Sequence, residues 1–403
     1  MAGGGPGAGG GTEGPRRAAC SRARARAFVV AQFLPLCFLV AVVVALAWPA
    51  PGAAVLSVTV AGGVRLVQEL NIIVVFFISG FALNTSDMVK ARKHKFEALY
   101  GLVMLLLLSP LLGFAVRAVP LESKGLLFGA VIFCIVPTTL GIGIALVRSA
   151  KGNEAIALLL TIVSNVLGVF TMPLWLTALL EDSGLGQIDI PDLLLKLSIT
   201  TLVPSLLGKA LRDCNKRAEA FAKRYRTELS MFSTANLAFV VWQTLSGARN
   251  TLFQQPIGSV LGAAGLVIAV HLVLLAINYV VVRKVFKTQL VEAVAVVIMA
   301  SQKSAPVAVT VVSYVTYDAQ LQGILAIPSI IGQLFQIFFG ALIAGPIARA
   351  VDSDKARAAL EAPDAKPAQP DARDHDAALP TSTRDSADTS QVELAPSTSM
   401  VQL

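Results

Sequence analysis

Long apolar blocks separated by short polar or Gly/Pro-rich breaks dominate this chain. Ten such blocks run at roughly 28–48, 64–83, 96–119, 125–147, 154–180, 193–211, 229–246, 257–283, 290–315 and 322–349. A helix that crosses hydrocarbon needs about 20 largely apolar residues, so the pattern predicts an all-α membrane protein of ten transmembrane helices. Several blocks are interrupted, at Pro137, Pro306 and Pro328. Broken helices are tolerated where they are buried in protein or line a cavity, and a lone lipid anchor gives no reason to keep them.

The basic residues test the count independently, because Lys and Arg concentrate in cytoplasmic loops. Threading ten spans puts 21 of the 33 basic residues on one side: five arginines of the N-terminal arm, Lys90 to Lys95, Arg148 and Lys151, Lys209 to Arg226, and Arg283 to Lys287. The other side receives five, Arg65, Arg117, Lys124, Lys196 and Arg249. Both termini are therefore expected on the cytoplasmic side. The acidic segment 181–192 divides the apolar region into halves of five spans, 28–180 and 193–349. An odd number per half makes the second half enter from the opposite face, which suggests an inverted repeat with binding sites near the midplane on discontinuous helices.

Composition agrees: 55% of the 403 residues are hydrophobic and 14% charged, against about 25% charged in soluble domains. Most soluble enzymes are excluded. The net charge of +8 is a topology signal and not a nucleic-acid footprint, since the basic runs lie in short loops of alternating parity. Residues 1–27 read as a basic arm or a short organellar presequence, and 350–403, rich in Ala, Pro, Ser and Thr, as a disordered cytoplasmic tail. The four cysteines have no ligand spacing, so neither a disulfide nor a metal site is expected.

Polar groups at membrane depth are costly and point to function. In the fourth span Pro137, Thr138, Thr139, Gly141 and Gly143 form a stretch able to unwind and present carbonyls to a cation or amides to an anion; a proline kink satisfied by threonine hydroxyls is the alternative. In the fifth, Thr161, Ser164 and Asn165 share one helical face, for a site or for interhelical bonding. The ninth carries Ser301-Gln302-Lys303-Ser304 before Pro306. Lys303 lies too deep to snorkel, so it calls for a water-filled cavity or an anionic partner, as counter-charge for a bound anion or as a tethered cation in a sodium-like site. Gln333 and Gln336 line the same cavity or pack helices. His271 reads as a neutral, hydrogen-bonded structural histidine before a proton relay.

Three segments, FFISGFALNTSDMVKA (76–91), VPTTLGIGIALVRSAKGNEAIALLLTIVSNVLGVFTMP (136–173) and MASQKSAPVAVTVVSYV (299–315), resemble the bile acid:sodium symporter superfamily. The nearest branch holds the solute carrier family 10 member 7 type and the plastid sodium/metabolite cotransporters of plants. The resemblance covers roughly 28–349. It implies two inverted five-helix repeats with unwound, crossed fourth and ninth helices, bound sodium behind the crossing, and a core domain moving against a panel domain. It matches Thr161 to a sodium-ligand hydroxyl and Gln302 to the ninth-helix glutamine, a possible weak sodium site. It also exposes departures. Sodium-coupled relatives have glutamate where this chain has Ile298, asparagine where it has Lys303, Ser/Asn ligands near Gly141 and Gly143, and a third-helix glutamine that 96–119 lacks. Losing a carboxylate and gaining an ammonium disfavours at least one sodium ion.

The expected function is secondary transport of a small organic anion by alternating access, with sodium coupling reduced or absent. The second reading is a non-transporting regulator of calcium homeostasis on the same fold. An intramembrane enzyme lacks paired carboxylates, HExxH or GxSxG in the spans. Substrate, coupling ion, oligomeric state and membrane, plastid envelope or plasma membrane, stay open at this stage.

Overall fold

The protein, a computed structural model, is described over residues 33–60, 65–83, 92–139, 141–180, 189–316 and 318–361. The N-terminal arm, most of the acidic segment and the tail from 362 lie outside the described residues. The described chain is helical, with one isolated bridge between Thr59 and Arg65. In order come α1 (Phe33–Ala47), α2 (Pro49–Leu56), α3 (Leu66–Ala82), α4 (Lys95–Arg117), α5 (Lys124–Ile135), α6 (Ile142–Ser149), α7 (Glu154–Leu180) and α8 (Ile190–Cys214). They are followed by α9 (Lys216–Arg224), α10 (Arg226–Phe253), α11 (Ile257–Val285), α12 (Leu290–Ser301), α13 (Ala305–Val315) and α14 (Ala319–Glu361). Each of the ten apolar blocks contains helix.

Among the described residues six elements are long and apolar enough to cross a membrane: α4, α7, α8, α11, α12 with α13, and α14; α1 and α2, bent by 98° where Pro49 starts a new helix, make a seventh if they form one span. This is a multi-pass membrane protein. The sequence count of ten is larger for local reasons. α3 and α5 are apolar but shorter. α10 is 28 residues long but carries Ser230, Ser233, Thr234, Asn236, Gln243 and Thr244 along its length, so its hydropathy is low. α14 runs past 350 to Glu361, through an Ala-rich, charged stretch of good helix formers that meets its first proline at Pro363.

The described residues up to 356 pack as one compact unit, within which the helix contacts fall into two groups. In one, α10 lies along α1, α2 and α3, and α3 lies along α8. In the other, α4, α7 and α11 surround α12, while α5 packs on α4 and α11. Each group draws on both halves of the sequence. The groups meet where α8 touches α7 and α13. The α12–α13 span is the innermost: 94% of its apolar stretch is buried, against 22–50% in the other candidate spans. α12 belongs to one apolar cluster and α13 to another, so the polar Gln302-Lys303-Ser304 break falls on the seam between them.

Small residues allow the first group its close approach. A Cβ at Gly80 would strike the backbone carbonyl of Ser205, and one at Gly208 the carbonyl of Phe77. Arg212 Nη1 then donates to the α3 terminal carbonyl of Ala82 at 2.6 Å. These contacts make α3 and α8 run parallel. Gly80→Ala is expected to destabilise the protein by about 1–3 kcal/mol through overpacking, whereas Gly265→Ala, whose Cβ enters open space, should stabilise it by about 0.5–1 kcal/mol. Thermal melting of detergent-solubilised variants checks the contrast, and equal midpoints would show that α3 and α8 do not pack through Gly80.

Candidate functional site

Two interrupted helices meet at the centre. α5 stops at Ile135 because the residue before a proline is pushed out of the α region, and helix resumes at Ile142. α12 stops at Ser301 and α13 starts at Ala305, with Pro306 in the first turn, where its missing N–H costs nothing. Each break leaves carbonyls and amides without helical partners, and in hydrocarbon these must be satisfied internally.

The breaks satisfy one another. Ser304 N donates to Pro137 O at 3.0 Å, and Thr138 Oγ1 to Met299 O at 2.7 Å. Thr139 Oγ1 lies 3.2 Å from Gln302 Oε1 and accepts from Gly143 N at 2.8 Å. The Lys303 side chain, 1% exposed, donates through Nζ to Val136 O at 2.9 Å and to Leu105 O at 3.4 Å; Leu105 belongs to a π turn of α4. Among the described residues no carboxylate lies within ion-pair distance of this ammonium. In place of the water-filled cavity or anionic partner expected for it, Lys303 is held by backbone carbonyls, Val136 O at the α5 break and Leu105 O in the π turn of α4.

Neighbouring helices supply the remaining caps. Gln336 Oε1 accepts from Lys303 N at 3.1 Å and Gln333 Oε1 from Ala305 N at 3.0 Å, while Ser304 Oγ caps Val307 N. The Ser301 carbonyl takes a bond from His271 Nδ1 at 2.9 Å, which fixes that nitrogen as the protonated one because a carbonyl only accepts. From α7, Asn165 Nδ2 donates to Thr138 O at 3.2 Å, and Thr161 Oγ1 donates to Ala157 O at 2.9 Å while lying 3.5 Å from Thr139 O. Ser164 is buried but turned back to its own helix at Thr161 O. Gly141 is the outlier: it is exposed, with open space where a Cβ would sit, and it has no side chain to cap α6, whose first turn is held instead by Thr139 Oγ1 at the Gly143 amide.

The residues singled out in the sequence thus converge, apart from Ser164 and Gly141. A relay that the sequence did not flag stands behind them. Tyr100 donates to Asn278 Oδ1 and Asn278 Nδ2 to Ser301 Oγ, each at 2.9 Å. The available signal was the spacing of His271 and Asn278, two turns apart on one face of α11.

Between α7 on one side and α3 with α8 on the other lies a small recess, lined by Ser79, Gly80, Thr161, Asn165, Thr201 and Ser205 among others. It falls between the two helix groups. Its α7 wall is the same Thr161–Asn165 face that is pinned to the fourth-span break, and it carries no charged side chain. Asn165 Oδ1 and Thr201 Oγ1 are buried beside it with no hydrogen-bond partner.

The profile of the SBF-like CPA transporter family matches residues 32–349. The chain belongs to that family. It is a transporter family, so this protein is a membrane transporter homologue and not an enzyme. The chain is similar to the Arabidopsis thaliana protein named probable sodium/metabolite cotransporter BASS4, chloroplastic, at 33% identity over 67% of this chain and 63% of that relative. It thus spans a little under two thirds of that relative's length. The Oryza sativa protein of the same name is 28% identical over 78% of this chain and 75% of its own. Sodium/bile acid cotransporter 7 of Danio rerio is 22% identical over 67% of this chain and 80% of its own.

The capping glutamines give a direct test of the site. Gln336→Leu and Gln333→Leu each strand a buried backbone N–H, at an expected cost of about 1–3 kcal/mol. Thermal melting in detergent reads the loss; unchanged midpoints would show that the α13 start is satisfied in another way.

Proposed function

We propose that the protein is a secondary active transporter of a small organic anion, working by alternating access on a ten-helix fold of two inverted repeats, with sodium coupling reduced or absent. The observation that carries this reading is the Lys303 ammonium held by Val136 O and Leu105 O where the two breaks meet. Carbonyls freed from interrupted helices are the usual cradle of a coupling cation in such carriers. Here the cradle holds a cation that is part of the chain. Burying an unpaired ammonium costs about 3 kcal/mol even on insertion scales, so the cradle and Lys303 depend on each other.

The ends of the half-helices support the anion. A helix N-terminus is a ready anion site when its amides are free. That of α13 is sealed by Ser304 and Gln333, whereas at the start of α6 Thr139 Oγ1 takes the Gly143 amide and exposed Gly141 has no side chain to cap the rest of the first turn. The unpartnered Asn165 Oδ1 and Thr201 Oγ1 beside the recess offer polar handles for the rest of a small solute. Thr161 and Gln302 both approach Thr139, which keeps them as a weak sodium site next to the lysine. The word chloroplastic in the plant relatives' names, with the acid-poor, Arg-bearing arm of this chain, supports a plastid envelope location with both termini on the same side.

Uptake by purified protein in liposomes, screened over small organic anions with sodium or with choline, tests the reading. Comparable uptake in both salts is expected, and strong sodium dependence with two-ion stoichiometry would overturn the role of Lys303. A protein that alters cell calcium yet carries no solute in liposomes would favour the regulator. Lys303→Gln is expected to insert normally and lose transport; unimpaired uptake would make Lys303 purely structural.

A further inference from the structure

The side-chain hydrogen bonds that join the two helix groups gather at one end of the recess. Tyr314, in the last turn of α13, donates to Glu69 Oε2 at 2.5 Å and lies 2.9 Å from Thr200 Oγ1. Glu69 is in the first turn of α3, and Thr200 is in a π turn of α8. The next residue, Thr201, already lines the recess. Beside this cluster the Arg65 guanidinium, at the start of α3, donates to Gln322 Oε1 in α14. Gln322 Nε2 in turn donates to Ser313 O at 3.2 Å and to Thr316 O, holding the end of α13.

Direction follows from the parallel run of α3 and α8. Phe76 faces Ser205 and Ala82 faces Arg212, so Glu69 and Thr200 stand near one level. The recess continues from Thr201 toward Ser205, Ser79 and Leu83. At about 1.5 Å per residue, Gly80 lies about 16 Å beyond Glu69. Along that stretch the hydroxyls stay within their own helix group: Ser79 bonds Val75 O, Ser205 bonds Thr201 O and Phe76 O of α3, and Thr161 bonds Ala157 O and lies 3.5 Å from Thr139 O. Among the described residues, strong polar links across the groups therefore close one end of the recess.

We propose that Glu69, Thr200 and Tyr314, backed by Arg65 and Gln322, form the gate that closes the recess toward the side on which α3 begins. The gate has the makings of a reversible latch. A carboxylate accepting from a phenol is among the stronger hydrogen bonds, yet each partner can be taken over by water once the groups separate. Arg65 and Lys196 are the cationic neighbours of Glu69, and Asp318 faces Arg65. The gate rests on the alternating-access reading, since a rigid protein has no use for one.

The test needs no substrate. Ile162, in the α7 wall of the recess, is changed to cysteine in a full-length chain with the native cysteines replaced, and a membrane-impermeant maleimide is applied to right-side-out and inside-out vesicles. With the gate intact, labelling from the face where α3 begins is slow. Tyr314→Phe and Glu69→Gln are expected to speed it by about tenfold, the shift that follows from losing one hydrogen bond to a charged group. Thr200→Val provides a milder variant should those fold poorly. Unchanged labelling from that face in the folded single variants overturns the gate. Gate variants that behave as expected in a protein with no flux would leave the gate standing and sink the transport reading; flux with unchanged labelling would do the reverse.

Discussion

Everything at the centre of this protein depends on satisfying the backbone of two interrupted helices where water cannot do it. Each break frees carbonyls at one half-helix end and amides at the next, and each unpaired group costs several kcal/mol in hydrocarbon. The protein answers with reciprocal bonds between the breaks, Ser304 N to Pro137 O and Thr138 Oγ1 to Met299 O, and with caps from helices on every side. His271 takes the Ser301 carbonyl, Gln333 and Gln336 take the amides of Ala305 and Lys303, and the lysine ammonium takes Val136 O. The nearly complete burial of the α12–α13 span follows from the same need, because those partners have to surround it.

The same demand organises function. A stretch of backbone held open at the core by side chains is a site by construction, since anything that replaces a cap becomes a ligand. Most positions are filled by the chain itself, Lys303 among them. The unfilled ones, Asn165 Oδ1 and Thr201 Oγ1 near the recess, lie toward the boundary between the helix groups. The cluster around the breaks is rigid through its many bonds. The α3–α8 pair opposite is rigid through glycine-mediated contact. Between two stiff bodies, with polar links concentrated at Glu69, Tyr314 and Gln322, relative motion has one place to be latched.

Much of this was legible because membrane depth makes polar residues conspicuous. Pro137, Thr138, Thr139, Gln302, Lys303 and Ser304 stood out against apolar neighbours, and they are found together. Gln333 and Gln336 stood out equally, but their part as caps for specific amides needed the fold. Glu69, close to a span end, looked like an ordinary boundary acid, and Arg65 counted only as a far-side loop base. Tyr100 and Tyr314 carried no signal of their own, and Asn278 only its spacing from His271, because a tyrosine or asparagine in a helix is unremarkable until its partner is known.

The sequence by itself determined where helices form and where two of them break, at Pro137 and Pro306, since apolar length, proline and glycine act on the backbone within a few residues; Pro328, expected to interrupt its span as well, lies inside the continuous α14. It also determined that Lys303 needed a special environment, because desolvating an ammonium is costly wherever it happens. Only the tertiary structure decided what that environment is. The partners of Lys303 lie 167 and 198 residues away in the chain and are backbone oxygens, identical in every residue type, so no pattern of side chains can announce them. The tertiary structure likewise decided that Glu69 faces Tyr314 across 245 residues, because packing, and not local propensity, sets which helix faces meet.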